Sequence, residues 1–580
     1  MAVAVDRAMG RQFLVVVGFF CACGGSSDTP PTPDAPVSPD IDAAVDAPPP
    51  PPLMFGIDTS PAPSETYTQA LATVHAAGAT FVPQAIDWSM LEAGPDDTFG
   101  SAIIDAKKWD VTGPFAADKP AGVVRYTSSA ASGSDHLHAR YALATGSISA
   151  RAHAKLNTPG NTQATVLLRF GTAPAAGNRC TDPADQFAAV VLLASGAAAA
   201  ATCQNGVFAT HGTQPATAAA TIQIRRTTTQ IVFEVGSAQI AALNLSALPA
   251  AFAGTARLDV FAGNDAGAAT VELSTLHVTG AVTWDNPTDR FVGVDAAFDV
   301  PALLDLIHGP AHTKLVIILR TINTVTTELP SDLEEVSSAT GLVDMSRADI
   351  KQRYHAAIDY LIAHMPSVEI VGFSVGNEID GYLGSNATAW AQVASFANDA
   401  IPYAKSKLPN AIVGITVTAD GMIAHPTEAA AVNAEADAVF LTYYPLAPDF
   451  TAKDPSVVPT DIARYLAATT KPVFFIESGY PSAGPSTACP TCTGSEAKQA
   501  AFFHAMFVAT DTYPTTRLRG FTVIWMTDVP DATVQGWKDY YGISAPTFLA
   551  YLATLGVRTQ SGAPKQAWTM IQSDAHARGL

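Results

Sequence analysis

The sequence predicts an α/β fold, a (β/α)8 TIM barrel interrupted by an all-β, jelly-roll-like sandwich. Apolar strands alternate with helical segments over residues 53–104 and again over 284–580, as in a barrel of buried parallel strands. Between these pieces, residues 105–283 form short runs of alternating polarity separated by Gly, Ser, Thr and Ala, as in a sandwich. We therefore expect a barrel in two pieces with a sandwich domain inserted between them.

Residues 1–23 predict a lipoprotein signal peptide. Two arginines precede the apolar run 13–20, and the following F-C-A-C-G-G resembles a bacterial lipobox with Cys23 as the lipidated residue. Cys21 is an alternative acceptor, and an ordinary secretory signal is an alternative to the lipobox. We expect an exported protein that is lipid-anchored at the outer membrane or cell surface.

Residues 24–52 predict a disordered linker. Pro, Asp, Ser and Ala dominate this segment, which ends in consecutive prolines at 48–52. Such a composition cannot bury a core, so we expect an extended, polyproline-like tether. The anchor and the spacer together indicate a protein that is held off a membrane surface.

The charge balance excludes two classes of partner. Lys and Arg number 32 against 52 Asp and Glu, a net charge of −20, so the chain is a poor binder of nucleic acid or anionic membranes. We expect membrane attachment only through the lipid. We also expect no metal or other cofactor, because no H-E-x-x-H, Walker loop or strand-linked G-x-G-x-x-G occurs. The sequence makes no prediction of oligomeric state.

Two apolar strands each deliver a glutamate at their end. The run 370–375 leads to Asn377 and Glu378, and the run K-P-V-F-F-I leads to Glu477. A carboxylate at the rim of a buried strand is costly unless it is paired or used. Strand ends on the C-terminal face of a barrel are where catalytic groups lie. The alternative for Glu378 is a helix cap or an ion pair.

These motifs, N-E and I-E-S-G-Y-P, resemble those of clan A glycoside hydrolases, nearest to the endo-β-1,4-galactanase-like families. The resemblance implies that Glu378 is the general acid/base and Glu477 the nucleophile, with Asn377 bound to the sugar 2-hydroxyl. It implies carboxyl groups about 5 to 5.5 Å apart. We therefore expect a retaining enzyme that cleaves β-glycosidic bonds in a polysaccharide or oligosaccharide. The alternative is a non-catalytic cell-surface glycan-binding protein on the same scaffold.

Further residues are candidates for substrate binding. The resemblance implies a tyrosine that bonds the nucleophile, where we favour Tyr443 over Tyr444, and a tryptophan platform at Trp525. Trp88 ends the second strand, where its ring is suited either to sugar stacking or to packing. Asn323 follows the third strand and, with Arg320, is placed to reach substrate. The sandwich is either a carbohydrate-binding module or a structural insertion.

The remaining cysteines predict disulfides. Cys180 and Cys203 lie in the predicted sandwich, and an exported chain permits a bond between them. Cys489 and Cys492 form C-P-T-C, which also fits a redox motif or half of a zinc site. Since no second C-x-x-C occurs, we expect a disulfide that braces the loop.

Overall fold

The computed structural model describes residues 50–92, 94–97, 99, 104–128, 135–156, 162–170, 180, 184–264, 269–291 and 299–580. The predicted signal peptide with Cys21 and Cys23, and the linker up to residue 49, lie outside these residues. The fold is of the mixed α/β kind, and the chain divides into two compact units. Of the described residues, those within 50–87, 304–328 and 338–580 form the first unit, and those within 88–303 and 329–337 form the second.

The strands of the structure, in chain order, begin with β1 (Met54–Ile57) and β2 (Val82–Asp87) of the first unit. The second unit supplies β3 (Trp109–Thr112), β4 (Phe115–Asp118), β5 (Val123–Ser128), β6 (His136–Leu143), β7 (Ile148–Leu156), β8 (Thr162–Phe170), β9 (Phe187–Leu193), β10 (Ala197–Gln204), β11 (Val207–Pro215), β12 (Ala219–Arg226), β13 (Gln230–Val235), β14 (Ala238–Asn244), β15 (Ala256–Asn264), β16 (Ala269–Thr279) and β17 (Val282–Trp284). The first unit then adds β18 (Leu315–Arg320), β19 (Ile322–Asn323), β20 (Thr326–Thr327), β21 (Ile370–Ser374), β22 (Ile412–Gly414), β23 (Thr416–Thr418), β24 (Val439–Tyr443), β25 (Val473–Ser478) and β26 (Leu518–Val523).

Helices connect the parallel strands of the first unit, and several begin at a capping side chain. In the first of them, Thr66 and Gln69 form a capping box. The described helices are α1 (Tyr67–Ala76), α2 (Trp88–Leu91), α3 (Val300–His308), α4 (Ala348–Ala363), α5 (Ile379–Leu383), α6 (Ala387–Lys407), α7 (Ala419–Ala424), α8 (Pro426–Val432), α9 (Val458–Ala467), α10 (Glu496–Thr512), α11 (Asp531–Tyr541), α12 (Pro546–Ala553) and α13 (Gln566–Ala577). Within the described ranges, every helix is too short or too polar to span a bilayer.

The main sheets of the first unit are parallel and share one apolar core. One has the order β1-β26-β25-β24-β23 and the other β2-β18-β21-β22. Ile415 alone separates β22 from β23, and a parallel bridge joins Gly56 to Phe81. A Cβ at position 56 would lie 2.3 Å from the Phe81 ring, so this approach requires glycine. The core between the sheets consists of Met54, Phe81, Val316, Ile318, Ala438, Phe440, Phe474 and Ile476.

The second unit is built from two antiparallel sheets that enclose a common core. Their orders are β14-β13-β12-β7-β16-β5-β4 and β11-β10-β9-β8-β15-β6-β17, with β3 paired to β6. Alternation is plain in β6, where Leu137, Ala139, Tyr141 and Leu143 are buried in that core. This arrangement is sandwich-like, as the alternating polarity of the sequence predicts.

Both predicted disulfides are present. Cys180 is bonded to Cys203 and Cys489 to Cys492. Cys203 lies in a small apolar cluster with Leu167, Phe187 and Phe261. The C-P-T-C motif therefore forms a local bridge in the loop after β25. The domain boundaries at 53–104, 105–283 and 284–580 stay predictions of the sequence.

Candidate active site

Glu378 follows β21 and is fully buried. Its backbone lies in the left-handed region at φ 45° and ψ 46°, a strained conformation for a residue other than glycine. Thr324 Oγ1 donates to Glu378 Oε2 and Thr442 Oγ1 donates to Glu378 Oε1, each over 2.7 Å. The carboxyl group is therefore held on both oxygens by hydroxyls from two other parts of the chain.

Glu477 lies near the end of β25, and its side chain is also enclosed, with 2% exposed. The register of β25 shifts against both neighbouring strands close to this position. Such irregularities re-aim side chains at strand ends. Tyr444 donates from its hydroxyl to Glu477 Oε2 over 3.0 Å.

The predicted bond from Tyr443 to Glu477 is wrong, and the alternative, Tyr444, makes that bond. Phe440 lies in the core of the first unit, and side chains two residues apart share a face of a strand. Tyr444 therefore continues the face of Phe440, and Tyr443 lies on the opposite face. There the Tyr443 hydroxyl donates to Asp461 over 2.9 Å.

Thr442 links the two glutamates. It bonds Glu378 through its side chain, and its Cα is paired with that of Glu477 on the adjoining strand. The charge of Glu477 also acts on Glu378. The structure therefore brings together the two acids that the sequence proposed as a pair.

The surroundings set the proton affinities of the two acids apart. Burial raises the pKa of Glu477 to about 7, while the hydroxyl of Tyr444, the charge of Arg320 and the amide of Asn377 oppose that rise. Burial raises the pKa of Glu378 well above its usual range, and the negative charge of Glu477 raises it further. Hydrogen bonds from Thr442 and Thr324 lower the pKa of Glu378 but do not cancel this rise. Glu378 therefore keeps its proton when Glu477 loses its own.

The predicted asparagines lie beside this pair. Asn377 Nδ2 donates to Asn323 Oδ1 over 3.4 Å, and the two backbones form a parallel bridge. Both residues are about 1% exposed. Asn377 Oδ1 has no hydrogen-bond partner among the described residues, whereas the amide of Asn323 also interacts with Glu328. The unused oxygen of Asn377 is suited to a sugar hydroxyl, and substrate binding by either residue stays a prediction.

The two predicted tryptophans have different surroundings. Trp525 is fully buried, and the ring of Trp537 stacks on it with centroids 4.9 Å apart and an interplanar angle of 19°. One face of Trp525 is thus covered, and its role as a sugar platform stays a prediction. Trp88 belongs to the second unit, where it is fully buried and donates from Nε1 to Glu92 Oε2 over 2.8 Å. These contacts are those of the packing role, one of the two roles that the sequence left open for Trp88, and sugar stacking stays a prediction.

Several residues at the site escape the sequence motifs. One of them is Glu328, whose pKa is raised by burial to about 7. It lies near Arg320, which the sequence did single out and which is buried and ion-paired with Asp87 at 2.6 Å. Thr324 and Thr442 carry no motif, because threonine is common in any strand or turn. For Thr442 a signal exists in its spacing, since it follows Phe440 by two residues on the inward face. Thr324 offers no comparable signal.

The described residues contain no group of three or more His, Cys, Asp or Glu side chains arranged to hold a metal ion. The hydroxyl groups of Thr324 and Thr442 are bonded to Glu378, and that of Tyr444 is bonded to Glu477. Chemically, the arrangement offers one acid that keeps its proton, one that ionises near neutrality, and adjacent hydrogen-bonding groups.

Comparisons with known proteins find similarity only at the level of structure. No protein-family model matches the chain, and no curated protein sequence is similar to it. The catalytic domain of an endo-1,3-β-glucanase (laminarinase) from Thermotoga petrophila RKU-1 is 10% identical with a TM-score of 0.27, covering 33% of this chain and 97% of that one.

Two further solved structures are similar over about half of this chain. A GH5_18 protein from Bifidobacterium longum subsp. infantis is 15% identical with a TM-score of 0.36, covering 49% of this chain and 66% of that one. A family 17 β-1,3-glucanosyltransferase from Rhizomucor miehei is 15% identical with a TM-score of 0.31, covering 46% and 80%. These neighbours are glycoside hydrolases by family, but at such scores the similarity carries no argument about activity here.

Proposed function

We propose that this protein is a retaining glycoside hydrolase that cleaves β-glycosidic bonds in a polysaccharide by double displacement. The observation that carries the proposal is the pairing of Glu378 and Glu477 through Thr442, with the proton held more tightly by Glu378. Two acids whose surroundings separate their pKa values divide the roles of acid and base. The alternative, a glycan-binding protein without activity, leaves two buried acids unused.

The reaction has two steps. Glu477, ionised, attacks the anomeric carbon, while Glu378 gives its proton to the departing glycosidic oxygen. The bond from anomeric carbon to leaving oxygen breaks, and an ester to Glu477 forms. Glu378, now ionised, takes a proton from water, whose oxygen attacks the anomeric carbon and releases Glu477. Each displacement inverts the carbon, so the sugar leaves with its original configuration.

The neighbours of Glu477 suit the nucleophilic role. Tyr444, Asn377 and Arg320 each favour its ionised form, which opposes the cost of burial. Without them the pKa of this buried carboxyl group would be higher, and less of Glu477 would be ionised at neutral pH. Asn377 is also placed between Glu477 and Asn323, where its unused Oδ1 can bond a sugar hydroxyl.

The proposed scaffold is the (β/α)8 barrel. Its support is the pairing of parallel strands: β22 and β23 act as successive parts of one strand shared by both sheets, and the Gly56–Phe81 bridge connects β1 to the start of β2. Glu378 and Glu477 follow or end parallel strands at their C-terminal ends, where active sites of such barrels lie.

The test is an activity screen over β-linked galactans, glucans, mannans and xylans. We expect Glu477→Ala to lower turnover by about 10⁴-fold or more, with azide restoring activity as a glycosyl azide of inverted configuration. Glu378→Ala should spare the first step for substrates with good leaving groups. Its azide product should retain configuration. Glu369→Ala, at an exposed ion pair with Lys314, is the matched control and should keep full activity.

Two results would refute the proposal. Inverted product from the wild-type enzyme would remove the nucleophilic role of Glu477 and fit carboxyl groups roughly 9 Å apart. Glycan binding without turnover of any β-linked polymer would instead favour the non-catalytic alternative. The screen also shows whether the enzyme cleaves β-linked galactans, as the galactanase-like resemblance implies, or one of the other polymers.

The proposed location is the outer membrane or cell surface, with a lipid on Cys23 and the proline-rich segment 24–52 as spacer. Support comes from the F-C-A-C-G-G motif alone. Cys23→Ala should move the protein from the membrane fraction to the soluble fraction. Release by Cys21→Ala but not by Cys23→Ala would show that Cys21 is the acceptor.

A further inference from the structure

Asp58 stands directly after β1, on the face of that strand that carries the core of the first unit. Met54 belongs to the core cluster, and Gly56 and Asp58 follow it at intervals of two. Because side chains alternate along a strand, residues 54, 56 and 58 share a face. Asp58 therefore caps the core at the C-terminal end of β1.

The pairing register places Asp58 near Glu477. Ile57 is paired with Val523, and Val523 is paired with Ser478, so these residues form one row across three strands. Asp58 lies one residue beyond this row and Glu477 one residue before it. The backbone at Asp58 is fixed, since its N–H donates to Val523 at 2.9 Å and its carbonyl accepts from Met526 at 3.2 Å.

The side chain of Asp58 is enclosed but incompletely bonded. It is 5% exposed, and Oδ1 has no hydrogen-bond partner among the described residues. Burial raises the pKa of Asp58 well above its usual range and the charge of Glu477 raises it further, which favours the protonated form of this carboxyl group. A buried acid with an unused oxygen lowers stability unless a ligand uses it.

We propose that Asp58 binds a hydroxyl group of the sugar unit held between Glu378 and Glu477, and that this unit is uncharged. The inference rests on the proposed glycosidase function. A protonated carboxyl can donate to one hydroxyl and accept from another, which suits a polyol.

The charges around the site favour a neutral sugar over a uronic acid. Asp58, Glu378 and Glu477 already gather three acids, and the buried cation beside them, Arg320, is ion-paired with Asp87. A uronate would add a fourth carboxyl group to this enclosed space. Burial of a charge without a partner is strongly unfavourable, so hexosides should be accepted and hexuronides rejected.

The experiment combines enzyme variants with sugars that each lack one hydroxyl. Aryl β-hexosides of the sugar class cleaved in the screen, and their 2-, 3-, 4- and 6-deoxy analogues, are assayed with wild type, Asp58→Ala and Asp58→Asn. One deoxy analogue should lose roughly 10- to 100-fold in kcat/KM with wild type and almost nothing further with Asp58→Ala. Asp58→Asn should lose less than Asp58→Ala. The matching aryl β-hexuronide should not be cleaved by wild type.

Asp461→Asn is the matched control, because Asp461 is bonded to Tyr443 on the opposite face of β24. It should keep the wild-type response to every deoxy analogue. Equal losses in wild type and Asp58→Ala for all analogues, or efficient cleavage of the hexuronide, would overturn the inference. Thermal melts of each variant establish that it is folded.

A second readout separates this inference from the proposed function. Calorimetric titration of Glu477→Gln, alone and combined with Asp58→Ala, measures binding of the parent oligosaccharide and its deoxy analogues without turnover. Coupling between Asp58 and one hydroxyl without any wild-type hydrolysis would retain the inference and reject the glycosidase. Hydrolysis that depends on Glu477 but shows no such coupling would retain the proposed glycosidase function and reject the inference about Asp58. Neither binding nor hydrolysis would reject both.

Discussion

Thr442 donates from Oγ1 to Glu378 Oε1 over 2.7 Å while its Cα is paired with that of Glu477. One residue thus fixes the position of the proposed acid relative to the strand of the proposed nucleophile. Thr324 holds the other oxygen of Glu378 from the loop after β19. The backbone of Glu378 is itself in a strained conformation. The two hydroxyl groups also restrict where its carboxyl group can lie.

Thr442→Val removes this hydroxyl at nearly constant volume. We expect kcat to fall by about 10- to 100-fold, because a displaced acid protonates the leaving oxygen poorly. The hydroxyl lowers the pKa of Glu378, so its loss should move the basic limb of the pH–rate profile to higher pH. The measurement is kcat and kcat/KM against pH on one substrate.

Thr522→Val is the matched control for that variant. Thr522 is a fully buried strand residue whose hydroxyl has no hydrogen-bond partner among the described residues. Its variant should leave both limbs of the profile unchanged. If Thr442→Val behaved in the same way, Thr442 would have no part in positioning Glu378. Thr442→Ser should recover most of the activity.

Tyr444→Phe tests the bond to Glu477, the proposed nucleophile. The Tyr444 hydroxyl lowers the pKa of Glu477, so its loss should move the acidic limb of kcat/KM upward by about 1 to 2 pH units. Activity should therefore fall most below neutral pH, where less Glu477 is ionised. Tyr443→Phe is the control, since its hydroxyl bonds Asp461. A shift in Tyr443→Phe and none in Tyr444→Phe would contradict the assignment.

The sequence was sufficient to predict the strands that carry the two acids, because uncharged β-branched and aromatic runs are typical of buried parallel strands. It did not choose correctly between Tyr443 and Tyr444. That choice depends on which face of β24 points inward, and a shift of one residue exchanges the faces. The alternation of side chains along β1 could have indicated that Asp58 lies on the same face as Met54, towards the core of the first unit. The bond from Thr324 to Glu378 joins residues 54 positions apart, so it depends on a fold that no local pattern specifies.

Removal of the two disulfides should have unequal effects. Cys180–Cys203 has a sequence separation of 23 and Cys489–Cys492 a separation of 3. By loop-closure entropy the longer link contributes about 3 kcal/mol and the shorter about 2 kcal/mol. Ala replacements of each pair should therefore lower the midpoint of unfolding more for the first pair. Calorimetry compares them, and equal or reversed losses would refute this ordering.

Glu477→Gln should stabilise the protein at alkaline pH while abolishing turnover. The pKa of Glu477 is raised by burial from 4.5 to about 7, so the folded state binds this proton more tightly than the unfolded state. Its contribution to stability is present below pH 4.5 and is lost as pH rises through about 7. The variant's gain in free energy of unfolding should grow over that window by up to about 3 kcal/mol and then level off. Urea unfolding at several pH values measures this gain.

Glu369→Gln, at an exposed site, is the control and should show no such trend. A gain for Glu477→Gln that did not vary with pH would contradict the buried, proton-binding state of Glu477.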